Sequence, residues 1–444
     1  MSLSHHAARA CAAPARQRRY LGSVVPVTAP ARREHLKVPC RSNGFITIDL
    51  YRASNPLSPI IIYLPSGPVL QHCSGAEESL ISRLHASSSA TVAAINYRAS
   101  SIHQYPTPCH DVLFGYDWLT ENVLQDEYRR TVLTRVGVCG QLIGGSLATM
   151  LALTECRLGE SRIGAAAINN PIIDWVFADT LPFVEPSKLP EPLGLDDTSL
   201  PAEADLAGSI CTEDMPISAL KHGKKKTKST PLTSWQAYGD NSVIPTSTLS
   251  LMRDTLFRRP EDYFDRFASP IHMFRSPHAE LVVLPEDQSH ASQKPESHVD
   301  MEAQFSLDHY AAANFASKAL PEMLRLARCR SYARNYPPAG STYSLPAWNI
   351  STGSRSPLSD HALELVKMLR RSIARQTLKN HTGRARWHDM SEKENYEQLA
   401  QQRIHTSIND GLGLWAHLSD TVEQQQHSRD VGMWMKQRLL PESD

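Results

Sequence analysis

The sequence predicts an α/β fold in which a mostly parallel sheet is flanked by helices. Residues 59–65 (PIIIYLP) and 91–98 (TVAAINYR) are short, apolar and rich in β-branched side chains, as strands buried on both faces are. Between them, residues 77–88 (EESLISRLHASS) carry apolar side chains at helical spacing. Because strands and helices alternate in this way along the chain, we expect the strands to pair in parallel.

The alternation continues on both sides of these segments. Residues 44–52 (GFITIDLYR) alternate between apolar and polar side chains, which predicts a strand with one exposed face. Further strands are predicted at 131–140, 164–174, 345–352 and 403–408, and helices at 110–123, 144–159, 359–375 and near 418–440. Residues 44–175 and 345–440 are therefore predicted to form one α/β core.

A long insertion interrupts this predicted core. Residues 176–344 are rich in proline, serine and charged side chains, with helical patches at 249–267 and 308–329. An insertion at this place in an α/β domain is expected to form a cap over the strand ends, where function-bearing loops lie. We expect this cap to be partly disordered. Its lysine run at 221–228 indicates a solvated loop rather than a nucleic-acid patch.

Residues 1–43 form a basic N-terminal segment. Residues 1–33 contain six arginines and eight alanines, and no acidic residue precedes Glu34. This composition is typical of a mitochondrial presequence, and a disordered basic tail is the alternative. The eight cysteines include no C-x-x-C pair. They predict reduced thiols in an intracellular protein, mitochondrial or cytoplasmic, without a zinc site.

The composition excludes several classes of function. Lys plus Arg equals Asp plus Glu at 46 each, so no net charge favours nucleic acid or a membrane surface. No apolar run approaches the roughly 18 residues that a transmembrane helix needs. No metal or cofactor motif stands out, so we expect no cofactor.

Residues 137–150 (GVCGQLIGGSLATM) carry the most informative motif. Gly140, Gly144 and Gly145 form the glycine framework of a nucleophile turn, and a helix of small residues follows it. In an esterase the middle of that turn holds a serine, whereas here it holds Leu142. The motif therefore has the backbone pattern of a hydrolase without the nucleophile.

With two upstream segments, this motif resembles the α/β-hydrolase superfamily, specifically the hormone-sensitive-lipase-like esterases and lipases. Those enzymes carry an H-G-G-G turn, a Y-R-L-A-P-E-H-P-F-P-A segment and a G-D-S-A-G-G elbow. This chain has residues 63–68 (YLPSGP), 97–107 (YRASSIHQYPT) and 140–145 (GQLIGG) in the same order. The resemblance covers roughly residues 44–175 and 345–440, and it implies an α/β-hydrolase fold with a long cap insertion.

The resemblance also implies where a catalytic triad would lie. The nucleophile position aligns with Leu142, the acid position of a G-x-x-D-P-L segment with Ser356, and the base position of a G-x-x-H segment with Leu414. None of the three is the serine, acid or histidine that this chemistry requires. Asp174 resembles an aspartate that anchors a loop in the family rather than a catalytic acid.

The family's oxyanion site is altered in the same way. There, backbone N–H groups of the H-G-G-G turn and of the residue after the nucleophile hold the oxyanion. The corresponding residues are Ser66, Gly67 and Ile143, while Pro68 has no N–H to donate. The resemblance implies a rebuilt oxyanion turn with two or three donors.

Three residues are candidates for a displaced active site. Ser66 lies in the oxyanion turn, Ser146 lies one helical turn beyond Leu142, and His417 lies three residues beyond Leu414. An ordinary structural role is the favoured alternative for each of them.

Two hypotheses from different classes follow. In the first, the protein is a non-catalytic relative that binds a small hydrophobic or acyl ligand or acts as a scaffold. In the second, it is an active carboxylic-ester hydrolase that uses a displaced nucleophile. The sequence favours the first hypothesis, because all three positions implied for the triad are replaced at once.

Overall fold

The structure is a computed structural model of the 444-residue chain. It describes residues 33–55, 58–70, 74–124, 135–158, 162–185, 188–192, 232–283, 324–338, 340–384, 387–416 and 421–440. The first 32 residues of the predicted presequence, the lysine run at 221–228 and residues 308–323 of the predicted helical patch lie outside this part.

Most of the strands form one central sheet. In chain order they are β1 (Arg33–Pro39), β2 (Phe45–Tyr51), β3 (Ile60–Leu64), β4 (Thr91–Asn96), β5 (Val136–Gln141), β6 (Ile163–Asn169), β7 (Ala279–Val283), β8 (Leu324–Arg328), β9 (Ala347–Gly353) and β10 (Ile404–Asn409). The eight-stranded sheet has the order β1-β2-β4-β3-β5-β6-β9-β10, and β7 and β8 form a separate antiparallel pair. Only the β1–β2 and β2–β4 pairings of the large sheet are antiparallel. The predicted mostly parallel sheet is confirmed.

Helices flank this sheet. In the part of the chain that is described they are α1 (Ser74–Ser88), α2 (Thr107–Asn122), α3 (Ile143–Thr154), α4 (Ser234–Tyr238), α5 (Thr246–Leu256), α6 (Ser359–Thr382), α7 (Met390–Arg403) and α8 (Val422–Leu439). Helices α1 and α8 pack together, and α2 packs on α3, which lies against β3, β5 and β6. Strand–helix–strand connections of this kind place helices on the faces of a parallel sheet.

The sequence explains why these elements form. Strand β3 is buried along its whole length, as its unbroken apolar run predicts. Helix α6 buries Leu365, Leu369 and Ile373, which recur every four residues on one face. It ends at Gly383, whose left-handed φ of 71° glycine adopts without steric cost.

Parts of the insertion lie against the sheet near its carboxyl edge. Helix α5 packs on the 3₁₀ turn Gly67–Val69, which follows β3. A second 3₁₀ turn, Pro270–Met273, packs on α3. The described portion of the insertion therefore borders the loops in which the sequence places the candidate site.

The structure corrects three sequence assignments. The sheet begins with β1, inside the segment 1–43 that the sequence assigns to a basic N-terminus. Residues 324–328 (LRLAR) form β8 rather than the end of a helix, because they alternate in polarity and pair with β7. Helix α7 was not predicted, since Ala400 is its one buried residue and no apolar stripe marks it.

Within the described residues, no helix is both long enough and apolar enough to cross a membrane.

Candidate functional site

The turn between β5 and α3 has the geometry of a nucleophile elbow, and Leu142 lies at its apex. Leu142 adopts φ 54° and ψ −117°, a conformation that L-residues with a Cβ rarely take. Its N–H donates to the Asn169 carbonyl at 3.0 Å, and its own carbonyl accepts from Ser146 N–H at 2.9 Å. These contacts hold the strained residue in place, as strained residues at functional turns are usually held.

The glycines of the turn are required by close backbone contacts. A Cβ on Gly140 would lie 2.4 Å from the Gly144 carbonyl oxygen. A Cβ on Gly144 would lie 2.1 Å from the Pro65 carbonyl oxygen. The glycine framework therefore lets the elbow close on itself and lie directly against the turn that follows β3.

The side chains at the elbow are apolar and buried. Leu142 and Ile143 have no exposed surface, and Leu414 is 3% exposed. All three belong to the hydrophobic core. The three residues are packed as core residues are, although the resemblance implies that Leu142 and Leu414 stand at the nucleophile and base positions.

Ser356 lies in the loop after β9 and is fully buried. Its Oγ accepts a hydrogen bond from Leu358 N–H at 3.2 Å, and its carbonyl accepts from Ser359 N–H at 3.2 Å. The hydroxyl thus stabilises the entry into α6.

Gln141, which the sequence analysis did not single out, joins the elbow to the loop that contains Leu414. Its Oε1 accepts from the N–H groups of Trp415 at 3.0 Å and Ala416 at 3.2 Å. Its Nε2 donates to the Ala416 carbonyl at 3.2 Å. The one signal in the sequence for this role of Gln141 was its position as a polar residue at the end of an otherwise apolar strand.

Asn169 and Asn170, at the end of β6, complete this network. Asn169 Nδ2 donates to Ser351 Oγ at 2.9 Å and to the Gly413 carbonyl at 2.8 Å. Asn170 Nδ2 donates to the Leu412 carbonyl at 3.0 Å, and its Oδ1 accepts from Thr352 Oγ1 at 2.8 Å. These contacts join the end of β6 to the end of β9 and to the loop that contains Leu414.

The oxyanion turn is engaged by its own neighbours. Ser66 N–H and Ser66 Oγ both donate to Glu77 Oε1, at 2.7 and 2.6 Å. A Cβ on Gly67 would lie 2.9 Å from Tyr97 Oη and 3.3 Å from two carbon atoms of Ile143. The N–H of Ser66 is therefore already bound to a carboxylate, and Ile143 packs closely against Gly67.

Among the described residues, Ser146 and the neighbouring Cys139 both lie in structural rather than catalytic surroundings. Ser146 is fully buried and its Oγ donates to the Ala268 carbonyl at 3.3 Å. Burial holds the pKa of the Cys139 thiol well above its ordinary value, so it stays protonated. His417 lies outside the described residues.

A buried charged cluster surrounds Asp174, as expected for an aspartate that anchors a loop. Asp174 Oδ2 lies 2.9 Å from Arg275 Nη2, 3.5 Å from His278 Nδ1 and 3.6 Å from His272 Nε2. Arg275 Nε also contacts Glu364 Oε1 at 2.7 Å. The cluster thus joins the loop after β6, the insertion and α6.

The pKa values in this cluster follow from its burial and its charges. Burial alone would raise the pKa of Asp174, but His272, His278 and Arg275 hold it well below its ordinary value. Burial lowers the pKa of His278 to about 4, and the nearby Arg275 acts in the same direction. The partners lie about 100 to 190 positions away along the chain, so no local sequence pattern indicates the cluster.

Among the described residues, no group of three or more His, Cys, Asp and Glu side chains is arranged to hold a metal ion.

Comparison with known proteins agrees with this architecture. A family model described as the alpha/beta hydrolase fold matches residues 62–197. An esterase from Pyrobaculum calidifontis is 14% identical with a TM-score of 0.50, over 91% of this chain and 85% of that one. Carboxyl esterase 2 from Tuber melanosporum is 12% identical with a TM-score of 0.50, over 95% of this chain and 90% of that one. A thermostable carboxylesterase cloned from a metagenomic library is 13% identical with a TM-score of 0.50, over 94% and 92% of the two chains.

No curated protein sequence matches the chain. At identities this low the similarity to the solved structures concerns the fold. The matched family model over residues 62–197 and the mostly parallel eight-stranded sheet show that the chain has an α/β-hydrolase fold, similar to the fold of the esterases named above.

Proposed function

We propose that this protein is a non-catalytic member of the α/β-hydrolase superfamily that acts as a scaffold or binding module. The observation that carries the proposal is Leu142, an apolar side chain with no exposed surface at the apex of an intact elbow. An elbow normally presents a hydroxyl to the substrate. Here the same strained backbone directs a leucine into the core.

The energetic consequence of three replaced positions is large. Removing a whole serine triad lowers turnover by about a millionfold and leaves roughly 10³–10⁴ over the uncatalysed reaction, from binding and the oxyanion hole. In this chain the Ser66 N–H of the oxyanion turn is also bound to Glu77. We therefore infer that ordinary ester hydrolysis by this chain is slower still than that residual level.

The alternative is an active hydrolase with a displaced nucleophile, and Ser66 is the residue to consider. Its Oγ lies 2.6 Å from Glu77 Oε1, which is a nucleophile–carboxylate contact. However, the same carboxylate oxygen also accepts the Ser66 backbone N–H, and Ser66 is 2% exposed. This arrangement favours a structural turn over a reactive hydroxyl.

Between scaffold and ligand-binding module, the packing favours the scaffold. A hydrophobic or acyl ligand beside Leu142 would need the space that the side chains of Leu142, Ile143 and Leu414 occupy in the core. Ligand binding at that place, like mitochondrial targeting by the first 43 residues, stays a prediction.

Hydrolysis of p-nitrophenyl acetate, butyrate and octanoate tests the proposal. We expect the rate of the folded protein to be no higher than the rates of its Ser66→Ala and Ser146→Ala variants. Turnover that Ser66→Ala abolishes and Ser146→Ala leaves unchanged would establish the displaced nucleophile instead.

A complementary variant, Leu142→Ser, restores the nucleophile alone. We expect it to remain inactive, because the acid and base positions hold Ser356 and Leu414. Rapid turnover by this variant would mean that a general base already lies at the elbow, and it would contradict the inference that the base position is vacant.

A further inference from the structure

The oxyanion turn holds an anion that belongs to the chain itself. The backbone N–H and the hydroxyl of Ser66 both donate to one oxygen, Glu77 Oε1, at 2.7 and 2.6 Å. Ser66 is 2% exposed, so little water reaches these two donors. Donors of this kind stabilise the negative charge of an oxyanion. Here the carboxylate of Glu77 supplies that negative charge.

The surroundings of the Glu77 carboxylate favour an anion. Glu77 lies in the first turn of α1, where the partial positive charge of a helix N-terminus stabilises carboxylates. Burial raises the pKa of Tyr63 and of Tyr97 well above the ordinary value, and the charge of Glu77 acts in the same direction. The carboxylate is thus close to two buried phenol groups, both of which stay protonated beside it.

Other contacts hold the turn in place. Tyr97 Oη donates to the Pro65 carbonyl at 2.8 Å. The turn also lies against the elbow, because a Cβ on Gly144 would meet the Pro65 carbonyl oxygen and a Cβ on Gly67 would meet Ile143. None of these contacts involves Glu77. We therefore expect the turn to keep its conformation when the Glu77 carboxylate is removed.

We propose that the Glu77 carboxylate is a tethered anion that occupies the oxyanion turn and excludes other carboxylates from it. A free carboxylate such as formate binds to the N–H and hydroxyl of Ser66 when the Glu77 side chain is removed. Glu77 is half-buried, so solvent has a path to this position. The inference goes beyond the proposed function and does not depend on it, because anion binding at Ser66 requires neither a nucleophile nor a base.

The test is rescue of a Glu77→Ala variant by formate, measured as the folding equilibrium constant from unfolding in urea. The substitution should lower this constant by about thirtyfold, since two donors lose a charged acceptor. Formate should bind with a dissociation constant of about 30 mM, within the limit for a ligand of so few atoms. At about 300 mM, formate should then raise the constant about tenfold above its value in an equal concentration of chloride.

Matched variants locate the rescue. Glu78→Ala removes a carboxylate from the next position of α1, where Glu78 pairs with the exposed Arg33 at 2.9 Å. Neither this variant nor the unsubstituted protein should respond to formate more than to chloride. Adding Ser66→Ala to Glu77→Ala removes the hydroxyl donor, so it should reduce the effect of formate by about threefold or more.

Glu77→Gln tests the charge without emptying the turn, because glutamine retains the size and one acceptor oxygen. It should lower the folding equilibrium constant by about tenfold. Glu78→Gln affects an exposed ion pair and should lower it by about threefold or less. Equal effects of formate and chloride on Glu77→Ala, equal responses of Glu77→Ala and Glu78→Ala to formate, or equal costs of the two glutamine variants would each overturn the proposal.

Discussion

Replacing Leu142 with alanine is predicted to destabilise the protein strongly. The leucine side chain has no exposed surface and lies in the hydrophobic core with Ile143 and Leu414. Truncation of such a leucine removes its transfer free energy and leaves a cavity, which together cost about 3–5 kcal/mol. Alanine retains a Cβ, so the strain of the positive φ is the same in both proteins.

Two further variants separate the contributions. Leu251→Ala, in α5, truncates a side chain that is 61% exposed, so it should change the free energy of unfolding by no more than about 0.5 kcal/mol. Leu142→Gly removes the Cβ that a φ of 54° penalises. It should be at least as stable as Leu142→Ala, whereas glycine in an ordinary helix or strand costs about 0.5–1 kcal/mol relative to alanine.

The assay is unfolding in urea followed by tryptophan fluorescence, with free energies compared at equal m values. If Leu142→Ala costs less than about 1 kcal/mol, the side chain borders open space rather than filling the site. That result would refute the claim that core packing has replaced the active site.

Three other substitutions test separate parts of the account by the same assay. Gln141→Ala leaves three buried backbone groups of the neighbouring loop without partners, and it should cost about 2–4 kcal/mol; a cost below about 1 kcal/mol would contradict this role. Gly67→Ala should cost more than Gly383→Ala, because both have a positive φ but only the Cβ at Gly67 would meet neighbouring atoms; equal costs would mean that the oxyanion turn is open. His278→Gln should make the stability less sensitive to acid. The folded pKa of His278, about 4, lies below the ordinary 6.5, so the unfolded chain binds the proton first. The free energy of unfolding of the unsubstituted protein therefore falls by about 3 kcal/mol as pH drops from about 6.5 towards 4. Parallel pH profiles for the two proteins would contradict that origin.

The fold could be predicted from the sequence because its central strands are continuous apolar runs. Strands β3 and β4 lie within the predicted segments, and β5 and α3 meet at the predicted elbow. Strand β1 was missed because Val38 is its one buried residue. Helix α7 was missed because Ala400 is its one buried residue. An element that buries little gives little periodic signal, and its partners in the fold determine its structure instead.

The candidate site was predictable in its positions but not in its contacts. The spacing of the glycine motif places Leu142 at the apex, and the structure has it there. The hydrogen bonds of Gln141 and of Asn169 connect residues about 180 to 275 positions apart along the chain. No local pattern in the sequence encodes such pairs. The sequence around Ser66 likewise does not indicate that Glu77 accepts hydrogen bonds from both the Ser66 N–H and the Ser66 hydroxyl.

Labelling with a fluorophosphonate probe tests the central claim most directly, because the probe reacts covalently with activated serines. The folded protein is treated beside an active carboxylesterase, and any labelled peptide is identified by mass spectrometry. The account predicts labelling of the active enzyme and no labelling of this chain. Stoichiometric labelling at Ser66 or Ser146 would contradict it and identify a working esterase with a displaced nucleophile.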